Sequence, residues 1–160
     1  MAFSQTHDAE NERFKAYLKG SDAQKLDEEV MELSKKITAK IDCTSCGNCC
    51  KSLMITVSED EADHLSAKLT ITRTAFDDLY LEKGLHGMNI INTIPCHFLS
   101  DNKCKVYEDR FEGCREFPAL QLPNFKKRLF THFMHYGRCP IIFNVIEQLK
   151  SNHSFHKTVI

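Results

Sequence analysis

Cys43, Cys46, Cys49 and Cys50 form a Cys-x2-Cys-x2-Cys-Cys run that holds half of the eight cysteines in the chain. The other half, Cys96, Cys104, Cys114 and Cys139, is spread along the remaining sequence. A cysteine can act as a small buried hydrophobe, but a core does not call for one at offsets of three, three and one. Thiolates at that spacing are metal ligands, and metal chelation is the chemistry these residues announce.

Spacing also bears on which metal. Structural zinc takes two Cys-x2-Cys knuckles, or one knuckle with a histidine pair. The back half of this chain has no second knuckle. A triad at Cys43, Cys46 and Cys49 suits three corners of a cubane with a remote fourth thiolate, and in bacterial ferredoxins that fourth cysteine precedes a proline. Here Cys139 precedes Pro140. The expectation is an iron–sulfur cluster, of the [4Fe–4S] type, on Cys43, Cys46, Cys49 and Cys139, with zinc as the other reading. Adjacent side chains diverge along a backbone, so Cys49 and Cys50 are expected to point at different centres. A second four-thiolate site would then use Cys50, Cys96, Cys104 and Cys114. One cluster with spare thiols is the alternative.

Histidine adds little to this set. His97 follows Cys96, and His132-x2-His135 has helical ligand spacing, but the neighbouring Phe130, Phe133 and Tyr136 suggest partly packed surface histidines. Two sites of four thiolates leave no open coordination position, which a catalytic metal needs. No acid–base pair and no Gly-x-Gly nucleotide loop stands out, and no independent enzymatic activity is expected. Electron transfer, an accessory role in protein modification, or a structural zinc module that engages a protein partner are the roles left open. Arg110 and Arg115 flank Cys114 and could offset the negative charge of a thiolate centre.

The elements that must hold these residues are short and mostly helical. Residues 11–19 read as a helix broken at Gly20-Ser21-Asp22. Leu26, Val30, Leu33, Ile37 and Ile41 then recur at steps of four, three, four and four, one apolar helical stripe. After the cluster, Leu53-Met54-Ile55-Thr56-Val57 reads as a strand. Ser58-x-x-Glu61 is a capping box that starts a helix carrying Ala62, Leu65 and Leu69 inward. A cap at Thr72 or Thr74 opens a helix through Phe76, Leu79 and Tyr80 that stops near Gly84. Residues 88–94 look extended up to Pro95. Ile141, Ile142, Val145, Ile146 and Leu149 mark a last amphipathic helix. The fold class is mainly α with a few short β-strands, a small α+β domain organised around cysteine-ligated metal. Its parts are a helical extension (1–42), the cysteine-cluster domain (43–140), and a C-terminal helix and tail (141–160).

At 160 residues, 42 % of them hydrophobic, the chain can bury a core without disulfides. A formal charge of −1 argues against a strongly basic nucleic-acid binder. From Asp101 onward ten Lys or Arg face six Asp or Glu, with Lys126-Lys127-Arg128 adjacent. That run reads as a solvated loop or a partner surface. The polar, acidic first twelve residues lack a leader's apolar stretch, and no run is long enough to span a membrane. A cytoplasmic location follows, where thiols stay reduced and read as ligands rather than as a disulfide framework.

The cluster, taken with Pro95-Cys96-His97-Phe98-Leu99, Cys104-Lys105-Val106-Tyr107-Glu108-Asp109-Arg110, Cys114-Arg115-Glu116-Phe117-Pro118 and Cys139-Pro140, resembles the YkgJ-type cysteine-cluster family. Its members are described as zinc- or iron-chelating domains, and flagellin lysine N-methylase contains a related domain. The resemblance covers roughly residues 43–140 and implies chelation by all eight cysteines. It implies no reaction, and methyl transfer does not carry over. One departure is local: the family commonly shows Arg-Pro before the third back-half cysteine, whereas Phe111 follows Arg110 here.

Overall fold

The structure, a computed structural model, describes residues 2–155, with side chains from residue 8 onward. Residues 156–160 of the expected C-terminal tail lie outside the described residues. The class is small α+β, as expected. The chain divides into two units: residues 1–42 with 118–160, and residues 43–117.

The first unit is helical. It comprises α1 (Ala2–Gly20), α2 (Ala23–Thr38), α6 (Leu129–Met134) and α7 (Pro140–Asn152). Asp22 stops the fray between the first two by accepting a hydrogen bond from Lys25 N at 2.8 Å, an N-cap that satisfies one of the helix's orphan donors. The apolar stripe of α2 buries Leu26 and Val30, and Ser34 joins them. Ile41 falls beyond the end of the helix. Helix α2 packs chiefly on α7, which starts with Pro140 in its first turn and buries Ile141, Ile142, Val145, Ile146 and Leu149. Pro fits there because its missing N–H would have no partner anyway. Phe14 of α1 meets Phe133 of α6 edge-on, with ring centroids 6.4 Å apart.

Two polar features run through this helical unit. Lys150 is 3 % exposed and pairs with Glu10 at 3.2 Å and Glu147 at 2.7 Å. Tyr136 donates to the same Glu147 at 2.7 Å. The buried charge is thereby paired, as a low-dielectric interior requires. The basic run is also spent inside the fold. Lys126 donates to Ser21 O, and Arg128 donates to the carbonyls of Ala119, Leu122 and Pro123. Of the three only Lys127 is exposed, which differs from the expected solvated loop.

The second unit holds α3 (Glu59–Lys68), α4 (Arg73–Tyr80), α5 (Glu112–Glu116) and five short strands. These are β1 (Thr56–Val57), β2 (Leu81–Lys83), β3 (Asn89–Ile91), β4 (Leu99–Ser100) and β5 (Lys103–Cys104). Strand β3 lies between β1 and β2, antiparallel to both, with Thr56 opposite Ile90 and Leu81 opposite Ile91. The second sheet is the β4–β5 hairpin, with Leu99 opposite Cys104. The Ser58–Glu61 capping box forms with both reciprocal bonds, and Thr72 caps α4. Arg73 ties the two helices by donating to Glu59, Asp63 and Asp77.

Three elements are shorter than their sequence suggests, the extended 88–94 segment forming a strand only over Asn89–Ile91. The strand expected from Leu53 shrinks to Thr56–Val57 because Ser52 N and Leu53 N are spent on Cys49 O, closing the thiol loop. Helix α4 stops at Tyr80 because the next three residues pair with β3, which leaves Leu79 exposed. Among the described residues no helix is long and apolar enough to cross a membrane.

Candidate metal centre

The Cys43–Cys50 segment is two 3-10 turns joined through a glycine. The first, Cys43–Ser45, closes with Cys46 N donating to Cys43 O at 3.3 Å. The second, Cys49–Lys51, closes with Leu53 N on Cys49 O at 2.8 Å. Gly47 between them has φ +64°, and a Cβ there would stand 3.0 Å from Asn102 O. The loop therefore rests directly on the backbone of the β4–β5 turn, a contact that only glycine allows. That turn is built by Asp101 and Asn102, both at positive φ, and Lys51 donates to Asn102 Oδ1 at 2.5 Å. Cys104 leaves the same hairpin on β5. Cys96 is joined to the loop by its own N–H, which donates to Cys50 O at 2.8 Å. Cys114 sits in α5, whose turn closes with Cys114 N on Phe111 O. Cys96, Cys104 and Cys114 pack against the apolar cluster of Val57, Leu65, Phe76, Ile91, Phe98 and Phe111. The core thus sets the positions of three thiols, and the hairpin sets those of the loop.

All eight cysteines are thiols rather than disulfides. Cys49 Sγ and Cys50 Sγ lie 3.9 Å apart. The expectation that adjacent side chains diverge fails here, because the tight turn at residues 49–51 swings both sulfurs to one side. A hydrogen bond from Cys50 holds the Cys49 thiol down to about 6, against the opposing effect of burial. Cys50 is raised in turn, first by that hydrogen bond, then by burial and by the charges of Cys49, Cys96 and Cys104. Burial pushes Cys114 up to about 12, helped by the charges of Cys49, Cys96 and Cys104. Cys96 is raised by burial and by Cys104 and Cys49. Five thiols, Cys49, Cys50, Cys96, Cys104 and Cys114, therefore share one field. Clustered thiolates repel one another unless a cation sits among them.

The flanking residues divide. The Arg110 guanidinium lies 3.9 Å over the Tyr107 ring and draws the Cys114 thiol downward. Arg115 instead donates to Glu108 O at 3.3 Å, and its charge acts on Glu61. His97 is held by Asn92 Oδ1 at 2.6 Å from Nε2 and meets the Tyr80 ring edge-on. His132 and His135 are buried, 2 % and 6 % exposed, rather than surface residues. His132 stacks on Phe125, and burial holds it down to about 4. Cys43 is exposed and Cys46 half-buried. Cys139 belongs to the helical unit, where it is buried at the N-cap of α7.

Among the described residues no three His, Cys, Asp or Glu side chains already form a coordination cage. The donor set nevertheless fits a thiophilic metal by type and by spacing. A tetrahedron with metal–sulfur bonds of ~2.3 Å has an edge of ~3.8 Å, close to the Cys49–Cys50 separation of 3.9 Å. Sequence spacing found the thiols but not Gly47, Lys51 and Asn102, which place the loop. The Asp-Asn pair between Leu99-Ser100 and Lys103-Cys104 was the available signal for that turn.

No curated protein and no solved structure matches the chain. A family model does match it, over residues 42–139, which takes in all eight cysteines. The chain belongs to the CxxCxxCC family, described as “Putative zinc- or iron-chelating domain”.

Proposed function

We propose that the protein chelates a single zinc or iron ion through Cys49, Cys50 and two of Cys96, Cys104 and Cys114. The observation that carries this reading is the 3.9 Å between the Cys49 and Cys50 sulfurs. Two thiolates that close suit one metal ion, whereas a cubane spreads its cysteines over different irons. Metal would offset the repulsion among the thiolates that bind it and complete the coordination geometry, coupling binding to the order of this unit. The role is that of a metal-dependent structural or electron-transfer module, with a protein as its partner and no reaction of its own.

A second reading keeps the iron–sulfur cluster on Cys43, Cys46, Cys49 and Cys139, beside a centre on Cys50, Cys96, Cys104 and Cys114. The triad spacing and Cys139-Pro140 favour it. Purification without oxygen, followed by metal and acid-labile sulfide analysis, separates the two. About one zinc or iron per chain without sulfide is the expected result. Brown protein absorbing near ~400 nm with stoichiometric sulfide would replace the first reading by the second. Loss of metal on replacing Cys50 with serine, with Cys139→Ser retaining it, is the matching expectation at the residue level.

A further inference from the structure

A cleft of about 270 Å³ opens in the thiol unit, lined by Asp60, Glu61, His64, Asp109, Arg110 and Arg115. Of its lining, Arg110 also bears on the thiol centre, through Cys114. The partners of each charged group decide what remains available to a ligand. Each oxygen of Glu61 already accepts a backbone N–H, from Ser58 at 2.8 Å and from Glu112 at 2.6 Å, and its charge interacts with Arg115. Asp109 Oδ1 takes His64 Nε2 at 2.8 Å and lies 3.5 Å from Lys68 Nζ, which leaves Oδ2. Asp60 is exposed on the first turn of α3, with no hydrogen bond or ion pair among the described residues.

The arginines are anchored but not exhausted. Arg110 gives Nη1 to Tyr107 O at 2.6 Å, and Arg115 gives Nη2 to Glu108 O at 3.3 Å. A guanidinium has five donors, so each keeps several for a ligand. The cleft therefore presents unspent donors of fixed positive charge beside unspent carboxylate oxygens. A simple anion would meet Asp60 and Asp109, and a simple cation would meet the guanidinium groups. Like charge beside either simple ion disfavours its binding. A small molecule with both charges satisfies both sets at once.

We propose that this cleft binds a free α-amino acid, its carboxylate on Arg110 and Arg115 and its ammonium on Asp60 and Asp109. The cavity leaves room for a side chain beyond the two charged groups. The His64–Asp109 pair fixes the carboxylate that receives the ammonium. The proposal stands whichever metal the thiols take.

Calorimetric titration of the metal-loaded full chain with L-alanine, acetate and ethylammonium tests it. L-Alanine should bind about tenfold more tightly than either single-charge analogue, and Arg115→Gln and Asp60→Asn should each weaken it about tenfold, as expected for losing one charge-assisted contact. Asp60→Asn should leave acetate binding unchanged or tighter. Because Asp60 is exposed, that variant tests the site without disturbing the core. Absence of L-alanine binding overturns the proposal, as does acetate binding as tight as L-alanine. Unchanged L-alanine affinity in both variants overturns it too, since that is how direct chelation of the metal would behave.

Discussion

The two units reach stability by different routes. In the helical unit α2 and α7 bury whole apolar faces, with Leu26, Val30, Ile142, Val145, Ile146 and Leu149 at most 2 % exposed. In the thiol unit the strands are two or three residues long, and three cysteines form part of the rim of its core. Short strands bury little surface of their own and depend on what crosses between them. A helix face carries its stability in sequence-local periodicity, whereas on the proposed reading the thiol unit would add to its own core a metal that gathers distant residues. The comparison teaches that metal dependence should be regional.

Metal removal is therefore the largest perturbation expected. Apparent binding free energies for structural zinc reach about 10–16 kcal/mol, and much of that is folding free energy. Chelation should abolish amide-exchange protection across residues 43–117 while α2 and α7 keep theirs. Uniform loss of protection along the chain would break the comparison. Loss confined to residues 43–50 would sharpen it to the loop alone.

Core truncation makes the reverse test. Ile146 is fully buried on α7, and Ile146→Ala should cost about 2–5 kcal/mol by lost burial and a residual cavity. Thermal or denaturant unfolding should show that loss, with metal stoichiometry unchanged. Phe76→Ala in the thiol unit should cost about 3–5 kcal/mol and also weaken metal binding, because Phe76 belongs to the cluster against which Cys96, Cys104 and Cys114 pack. Equal metal retention in the two variants would argue against a shared core and centre.

Much of the helical architecture was legible because its signals are local. Ser58–Glu61, Thr72 and the Ile141–Leu149 face each mark an element within one or two turns of chain. The strands were less legible because each is set by a distant partner. Ile55 O, for instance, accepts from Ile91 N, a partner that no run of β-formers nearby specifies. The cysteines announced metal, but the sequence pointed Cys49 and Cys50 apart, since only the turn at 49–51 brings their sulfurs together. His64 and Asp109 lie 45 residues apart and meet only through packing. His132, beside Phe130, Phe133 and Tyr136, reads as a partly packed surface histidine, yet it is buried and stacked on Phe125.

That histidine gives the helical unit its own acid sensitivity. Burial holds His132 near 4, below the ordinary 6.5. The native state then excludes a proton that the unfolded chain accepts, so stability is present above pH 6.5 and falls as pH drops through 6.5 toward 4. The full window corresponds to about 3 kcal/mol. His132→Phe should flatten this slope, measured as the pH dependence of exchange protection in α6 and α7. An unchanged slope would assign the acid sensitivity to other groups. Acid release of metal, read separately by metal analysis, should be unaffected by this variant.

The smallest effect expected is at Gly47, where the comparison narrows to one backbone contact. Alanine there must adopt φ +64° and place its Cβ 3.0 Å from Asn102 O and 3.1 Å from Asn102 Cα. The left-handed conformation alone costs about 1–2 kcal/mol, and the neighbour is backbone, which cannot rotate aside. The Cys43–Cys50 loop should shift off the β4–β5 hairpin, separating Cys49 and Cys50 from Cys104. Competition with a chelator should show metal affinity lower by about tenfold, the binding equivalent of 1.4 kcal/mol. Exchange protection in α2 and α7 should not change. Lys51→Met supplies the contrasting variant, since it removes the contact to Asn102 Oδ1 at 2.5 Å but leaves the backbone that Gly47 touches. It should weaken metal binding less than Gly47→Ala does. The opposite order would mean that Lys51, rather than the glycine seat, holds the loop in place.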